Sequence, residues 1–129
     1  MFNPLNKLIM KNYKNLIVWQ KAHALAVHVY KETAEFPKVE QFSLTSQLRR
    51  AATSIPTNLA EGCGKYSQAD LANYLQIALG SSNEVEYLIL LSYELCYMKD
   101  QQYKNLDRQV NEVKAMLISL VTKVRKSSN

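Results

Sequence analysis

The chain has 129 residues and a mass of 14.8 kDa, one domain's worth of sequence. Three Gly and three Pro are too few turn-formers for a many-stranded β fold, and 47% hydrophobic with 21% charged residues excludes disordered and collagen-like chains. No apolar run approaches the ~18 residues of a membrane span, and 16 Lys and Arg against 11 Asp and Glu leave a net charge of +5, which permits a polyanionic partner without requiring one.

Residues 1–15 carry Lys7, Lys11 and Lys14 and no acid. They read as a basic N-terminal arm, loosely ordered at its start, ahead of a bundle domain over 16–129. Met10 is a candidate alternative start. Leu5–Met10 is too short and interrupted for the core of an export signal, and Cys63 and Cys96 lie too far apart for a zinc motif. Free thiols without an export signal point to a reducing cytoplasm.

A first helix is expected from Leu16 to Glu35, with Val18, Ala22, Leu25 and Val29 on one face and Pro37 stopping it. Ser43 reads as the N-cap of a second helix, whose apolar stripe is Leu44, Leu48, Ala51, Ala52, Ile55 and Leu59. Pro56 falls inside that stripe and is expected to kink the helix or end it early. Gly62 and Gly64 mark the next turn. Ser67 to Asp70 resembles a capping box and opens a third helix, expected over Gln68–Met98. Its seam is Leu71, Leu75, Ala78, Ser82, Val85, Ile89, Ser92 and Cys96. Its second half is apolar on more than one side, which predicts burial by more than one neighbour and so a subunit interface. Asp100 reads as the cap of a fourth helix with Tyr103, Leu106, Val110, Val113, Leu117, Leu120 and Val124 inward and Lys123, Arg125 and Lys126 at its end. Four helices with short connections predict an all-α, antiparallel up-down four-helix bundle.

The sequence offers little chemistry. It holds no His-Glu-x-x-His and no Glu-x-x-His pair, and its two histidines, His23 and His28, fall on different helix faces. No metal, cofactor or catalytic residue is therefore expected. Gly62-Cys63-Gly64-Lys65 has only a superficial likeness to a phosphate loop, and Cys63 reads as a small turn residue rather than a nucleophile. Arg49 and Arg50 border the second helix's stripe, where Glu61, Glu84 and Glu86 are available. They read as a structural charge network that fixes helix register, ahead of an RNA-phosphate contact. Tyr74, Tyr87 and Tyr97 read as core or interface packing. Lys104, Arg108, Lys114, Lys123, Arg125 and Lys126 are the candidate nucleic-acid contacts, with a solvated charged face as the plainer reading.

Three segments resemble a known family. They are Leu16-Ile17-Val18-Trp19-Gln20-Lys21-Ala22; Phe36-Pro37 followed by the run Gln47–Gly62, QLRRAATSIPTNLAEG; and Ala78-Leu79-Gly80-Ser81-Ser82-Asn83-Glu84-Val85-Glu86. They are similar to the four-helix-bundle proteins encoded in intervening sequences of bacterial 23S rRNA genes, a resemblance that covers about residues 12–125. The resemblance implies one up-down bundle and a homo-oligomer, with a pentameric barrel as the expected form. It also implies kinship with the accessory proteins of diversity-generating retroelements, basic pentamers that bind nucleic acid and a reverse transcriptase. It implies no enzymatic activity. A ring of five copies would pool the modest charge of each into one polyanion site. The expected function is thus a non-enzymatic oligomeric bundle that binds RNA or DNA backbone, the alternative being an adaptor that docks a protein partner; neither involves a membrane.

Overall fold

In a computed structural model the described residues are 12–127. Residues 1–11, with most of the expected basic arm and Met10, lie outside them. Four helices account for most of the rest: α1 (Ile17–Thr33), α2 (Leu44–Cys63), α3 (Gln68–Glu94) and α4 (Asp100–Ser127). Short 3-10 turns occupy Tyr13–Asn15 and Lys38–Glu40, and the described residues contain no strand.

Each helix packs on its chain neighbours, and α4 closes the bundle on α1, so α1 and α3 occupy diagonal corners. The expected stripes form most of the core, although Val121 rather than Leu120 is buried on α4 and Tyr103 and Leu120 pack at its edge. Leu25, Leu48, Ile55, Leu59, Leu75, Ile89, Leu106 and Leu117 are all fully enclosed. Each such side chain contributes about 1.5–3 kcal/mol of burial. Most polar residues in the core satisfy themselves locally: Ser92 Oγ donates to the Leu88 carbonyl (2.7 Å) and Thr33 Oγ1 to that of Val29 (2.7 Å), whereas the buried Thr45 hydroxyl has no partner among the described residues. Pro56 is buried inside α2, which continues past it to Cys63 rather than ending early. Gly62 sets the close approach of α2 and α3, because a Cβ there would lie 2.9 Å from Cβ of Tyr74.

α1 ends at Thr33 rather than Glu35, and three further helix ends differ from expectation, each for a local reason. α3 stops at Glu94 rather than Met98 because the chain turns through a Schellman motif. Cys96 takes a left-handed φ of 66°, its N–H donates to the Tyr93 carbonyl, and the Tyr97 N–H donates to that of Ser92. Cys96 therefore leaves the α3 seam and is exposed. At α2, Ser43 precedes the helix but does not cap it. Its hydroxyl donates to Glu40 Oε1 (2.6 Å), which also accepts from the Leu44 N–H at 3.4 Å. At α4, Asp100 sits in the first turn and the Lys99 N–H is met by Gln102 Oε1 (2.8 Å). Asp100 instead takes the Tyr93 hydroxyl (2.9 Å) and Lys104 Nζ (2.9 Å). Ser67 does cap α3, accepting from the Asp70 N–H at 3.2 Å.

Glu40 also ties two loops together. Tyr97, between α3 and α4, donates its hydroxyl to Glu40 Oε2 (2.8 Å), between α1 and α2, and its ring packs on Phe36 with centroids 5.6 Å apart. The first and third connections thus share one end of the molecule, as an up-down bundle requires. At the other end Tyr13 packs edge-on against Trp19 and Gln20 Nε2 donates to the Lys14 carbonyl (2.8 Å), so residues 13–15 belong to the bundle rather than to a separate arm.

Two outcomes follow from these ends. A non-glycine residue in the left-handed region is strained, so Cys96→Gly is expected to stabilise the fold by about 1 kcal/mol in chemical denaturation. The hydrogen bonds from Ser43 and Tyr97 hold the Glu40 carboxyl below its ordinary 4.5. A carboxyl lowered by folding contributes stability above its unfolded value and loses it as pH falls through the folded one. The melting-temperature gap between wild type and Tyr97→Phe should therefore be widest near neutral pH and close progressively below 4.5. A gap that stays constant on acidification contradicts this account of Glu40.

Candidate nucleic-acid interface

The charge network expected of Arg49, Arg50, Glu61, Glu84 and Glu86 does not form. Arg50, Glu61 and Glu84 are exposed. Arg49 turns toward α1 instead: its Nε donates to Thr33 Oγ1 (2.8 Å), its terminal nitrogen to the Tyr30 carbonyl (3.2 Å), and its guanidinium lies 4.5 Å over the Tyr30 ring. A planar guanidinium is suited to bond along its edge and stack on its face at once. Glu86 pairs with Lys114 of α4 at 2.9 Å, which holds its carboxyl below the ordinary range. Tertiary packing thus gave Arg49 and Glu86 partners outside the expected network.

The six α4 cations divide into three sets. Arg108 and Lys126 share the outer face with Lys104, at helical spacing on the side away from the buried seam. Of these, Lys104 is tied to Asp100 one turn back. Arg108 makes only a long contact to Asn105 Oδ1 at 3.4 Å. Lys114 and Arg125 lie along the α3–α4 seam, where Lys114 meets Glu86 and Arg125 meets Gln76 Oε1. Lys123 is exposed on the α1 side, beside Leu16, Met116 and Leu120. From Val113 to Ser127 α4 carries Lys114, Lys123, Arg125 and Lys126 and no acid, whereas α3 carries Asp70, Glu84, Glu86 and Glu94 and no Lys or Arg.

A second surface was not legible in the sequence. Between α1 and α2 runs an open groove of about 710 Å³, walled by Trp19, Val27, Tyr30, Pro56 and Ala60, with Lys31 and Glu61 at its edges. It exists because small residues on the outer side of α2 face the large aromatics of α1. Each helix alone looks ordinary there, and only their juxtaposition makes the hollow.

The remaining candidates are structural. His23 stacks flat on Trp19 with centroids 5.1 Å apart, and His28 bonds Gln109 Oε1 (3.0 Å) and Glu32 Oε1 (3.1 Å). No group of His, Cys, Asp and Glu among the described residues has metal-binding geometry. Burial pushes the Cys63 thiol up to about 11, which leaves it protonated and poorly nucleophilic at neutral pH. Of the tyrosines, Tyr74 sits half-buried with Lys65 5.2 Å above its ring, and Tyr97 packs as described, but Tyr87 points outward at 59% exposure. No helix among the described residues is long and apolar enough to cross a membrane.

The model of the 23S rRNA-intervening sequence protein family matches residues 14–119, which take in α1, α2, α3 and α4 as far as Ser119. The chain belongs to this family. A solved structure similar to it is that of a protein of unknown function from the S23 ribosomal protein family of Bacteroides thetaiotaomicron. The two share 30% identity and a TM-score of 0.76 over 82% of this chain and 96% of the other. No curated protein matches the chain. Lys123, Arg125 and Lys126 lie beyond the segment that the family model covers.

The two arginines separate the structural from the exposed role. Arg49→Ala is expected to cost about 1–2 kcal/mol, since it strips partners from a buried hydroxyl and a carbonyl. Arg50→Ala should leave the melting temperature unchanged. Equal losses at both positions would restore the network that the geometry contradicts.

Proposed function

We propose that the protein is a non-enzymatic scaffold of the cytoplasm that assembles with copies of itself and holds RNA or DNA by its phosphate backbone along α4. The observation that carries this reading is the segregation of charge: four cations without an acid over the last half of α4, against four acids without a cation on α3. One copy offers too few unpaired cations for tight binding, because Lys104 and Lys114 already hold Asp100 and Glu86. Repetition in an assembly brings the exposed Arg108, Lys123 and Lys126 of several copies to one polyanion. Contacts of this kind go to phosphates and read little sequence. A pentameric ring is the form we expect.

A second reading, an assembly that docks a protein partner and leaves nucleic acid alone, draws on the open apolar groove between α1 and α2. Fluorescence anisotropy with labelled single- and double-stranded RNA and DNA separates the two. Backbone binding predicts affinity that falls steeply between about 50 and 200 mM salt as counterions are released. It also predicts that Arg108→Glu, Lys123→Glu and Lys126→Glu together weaken binding about tenfold or more at the lower salt. Lys114 is unsuited to this test, because reversing it also breaks the pair with Glu86. Flat titrations at both salts overturn the backbone reading and leave the docking one.

A further inference from the structure

We propose that the contact between copies is head to tail, the outward stripe of α3 on one copy seating in the α1–α2 groove of the next. The proposal rests on the self-assembly reading above and names the surfaces that meet.

α3 carries two seams where a lone bundle uses one. The inward seam, Leu71, Leu75, Ala78, Ser82, Val85 and Ile89, is buried against α2 and α4. The outward one, Ile77, Gly80, Glu84, Tyr87 and Leu91, repeats the same four-three spacing, with Ile77 51% and Tyr87 59% exposed and Leu91 half-buried against the edge of the core. A second seam of this spacing is what a further helix surface packs against. Gly80 sits in the middle of it. A glycine inside a long helix weakens it, and nothing lies within 4 Å of where its Cβ would be, so the chain's own packing does not call for it. A neighbouring backbone approaching closely does.

The occupant is a second copy because charge and geometry match. The stripe's charged residue is Glu84, on a helix whose charges are all acidic. The groove is edged by Lys31, and Arg50 stands exposed on the same face of α2 as Thr57, two turns earlier. Glu61 is the one acid in the groove's lining. The stripe lies on the side of α3 opposite its inward seam, whereas the groove opens between α1 and α2, so the two do not meet within one copy. Joining stripe to stripe about a two-fold axis instead would bring Glu84 toward its symmetry mate and leave the groove empty. Joining stripe to groove uses both surfaces and repeats from copy to copy, as a ring requires.

The test is native mass spectrometry and sedimentation of the full chain, with circular-dichroism melts to verify folding. Wild type is expected as an assembly. Tyr87→Asp (stripe) and Val27→Asp (groove), both at exposed positions, should each fall to the 14.8 kDa monomer. Gly80→Leu, which has open space in a lone chain, should do the same. Mixing Tyr87→Asp with Val27→Asp leaves one intact groove and one intact stripe, and should yield a one-to-one dimer that goes no further. Folded variants that keep the wild-type mass overturn the choice of surfaces, and a mixture that stays monomeric overturns the head-to-tail pairing. A monomeric wild type overturns the self-assembly reading itself, whatever the variants do.

Discussion

The bundle depends on the burial of α3 between α2 and α4. Its inward seam runs the length of a helix that rises about 40 Å, at 1.5 Å for each of 27 residues. α2 and α4 find their apolar stripes matched along it, whereas α1 completes the core from the opposite corner. The seam alternates large residues with Ala78, Ser82 and Ser92, which lets neighbouring helices come close. Each serine hydroxyl returns its hydrogen bond to its own helix, so small polar residues are buried without an orphaned donor.

Packing along the helices leaves their ends to be fixed by polar contacts. Glu40 gathers Ser43, the first N–H of α2 and Tyr97 at one end, so a single carboxylate both starts a helix and joins two loops. Nearby, Tyr93 stacks on Tyr103 with centroids 4.5 Å apart and donates to Asp100, which pins the start of α4 to the end of α3. The tight left-handed turn at Cys96 makes both contacts possible, since a helix continued to Met98 would have carried Tyr97 past Glu40.

The outer surface is shaped by what the interior leaves over. The acids of α3 and the cations of α4 meet only at the seam between them, through Glu86 and Lys114. Elsewhere α3 presents only acids outward and the last half of α4 only cations, the acids Asp100, Asp107 and Glu112 being confined to the first half of α4. This separation underlies the proposed reading, in which a polyanion lies along α4 and a basic surface against α3. The apolar groove and the outward residues of α3 add the non-polar area that charge alone does not provide.

The fold class, the four helices and nearly all of the core were legible in the chain, because helical periodicity is a local property and survives without knowledge of neighbours. The family was legible too, in the long run from Gln47 to Gly62. Polar partnerships were not. Arg49 and Arg50 are adjacent and chemically alike, yet one lies on an aromatic ring and the other in solvent, because only the position of α1 decides which of them has something to touch. Ser43 had the residue type of a cap, but Glu40, brought close by a 3-10 turn, took the N–H. Cys96 continued the spacing of α3, but the chain had already turned. The groove between α1 and α2 required two helices to exist at all. Periodicity therefore determined which faces turn inward, whereas tertiary structure decided which side chains meet, since a hydrogen bond or a hollow depends on distances of a few ångströms between segments far apart in sequence.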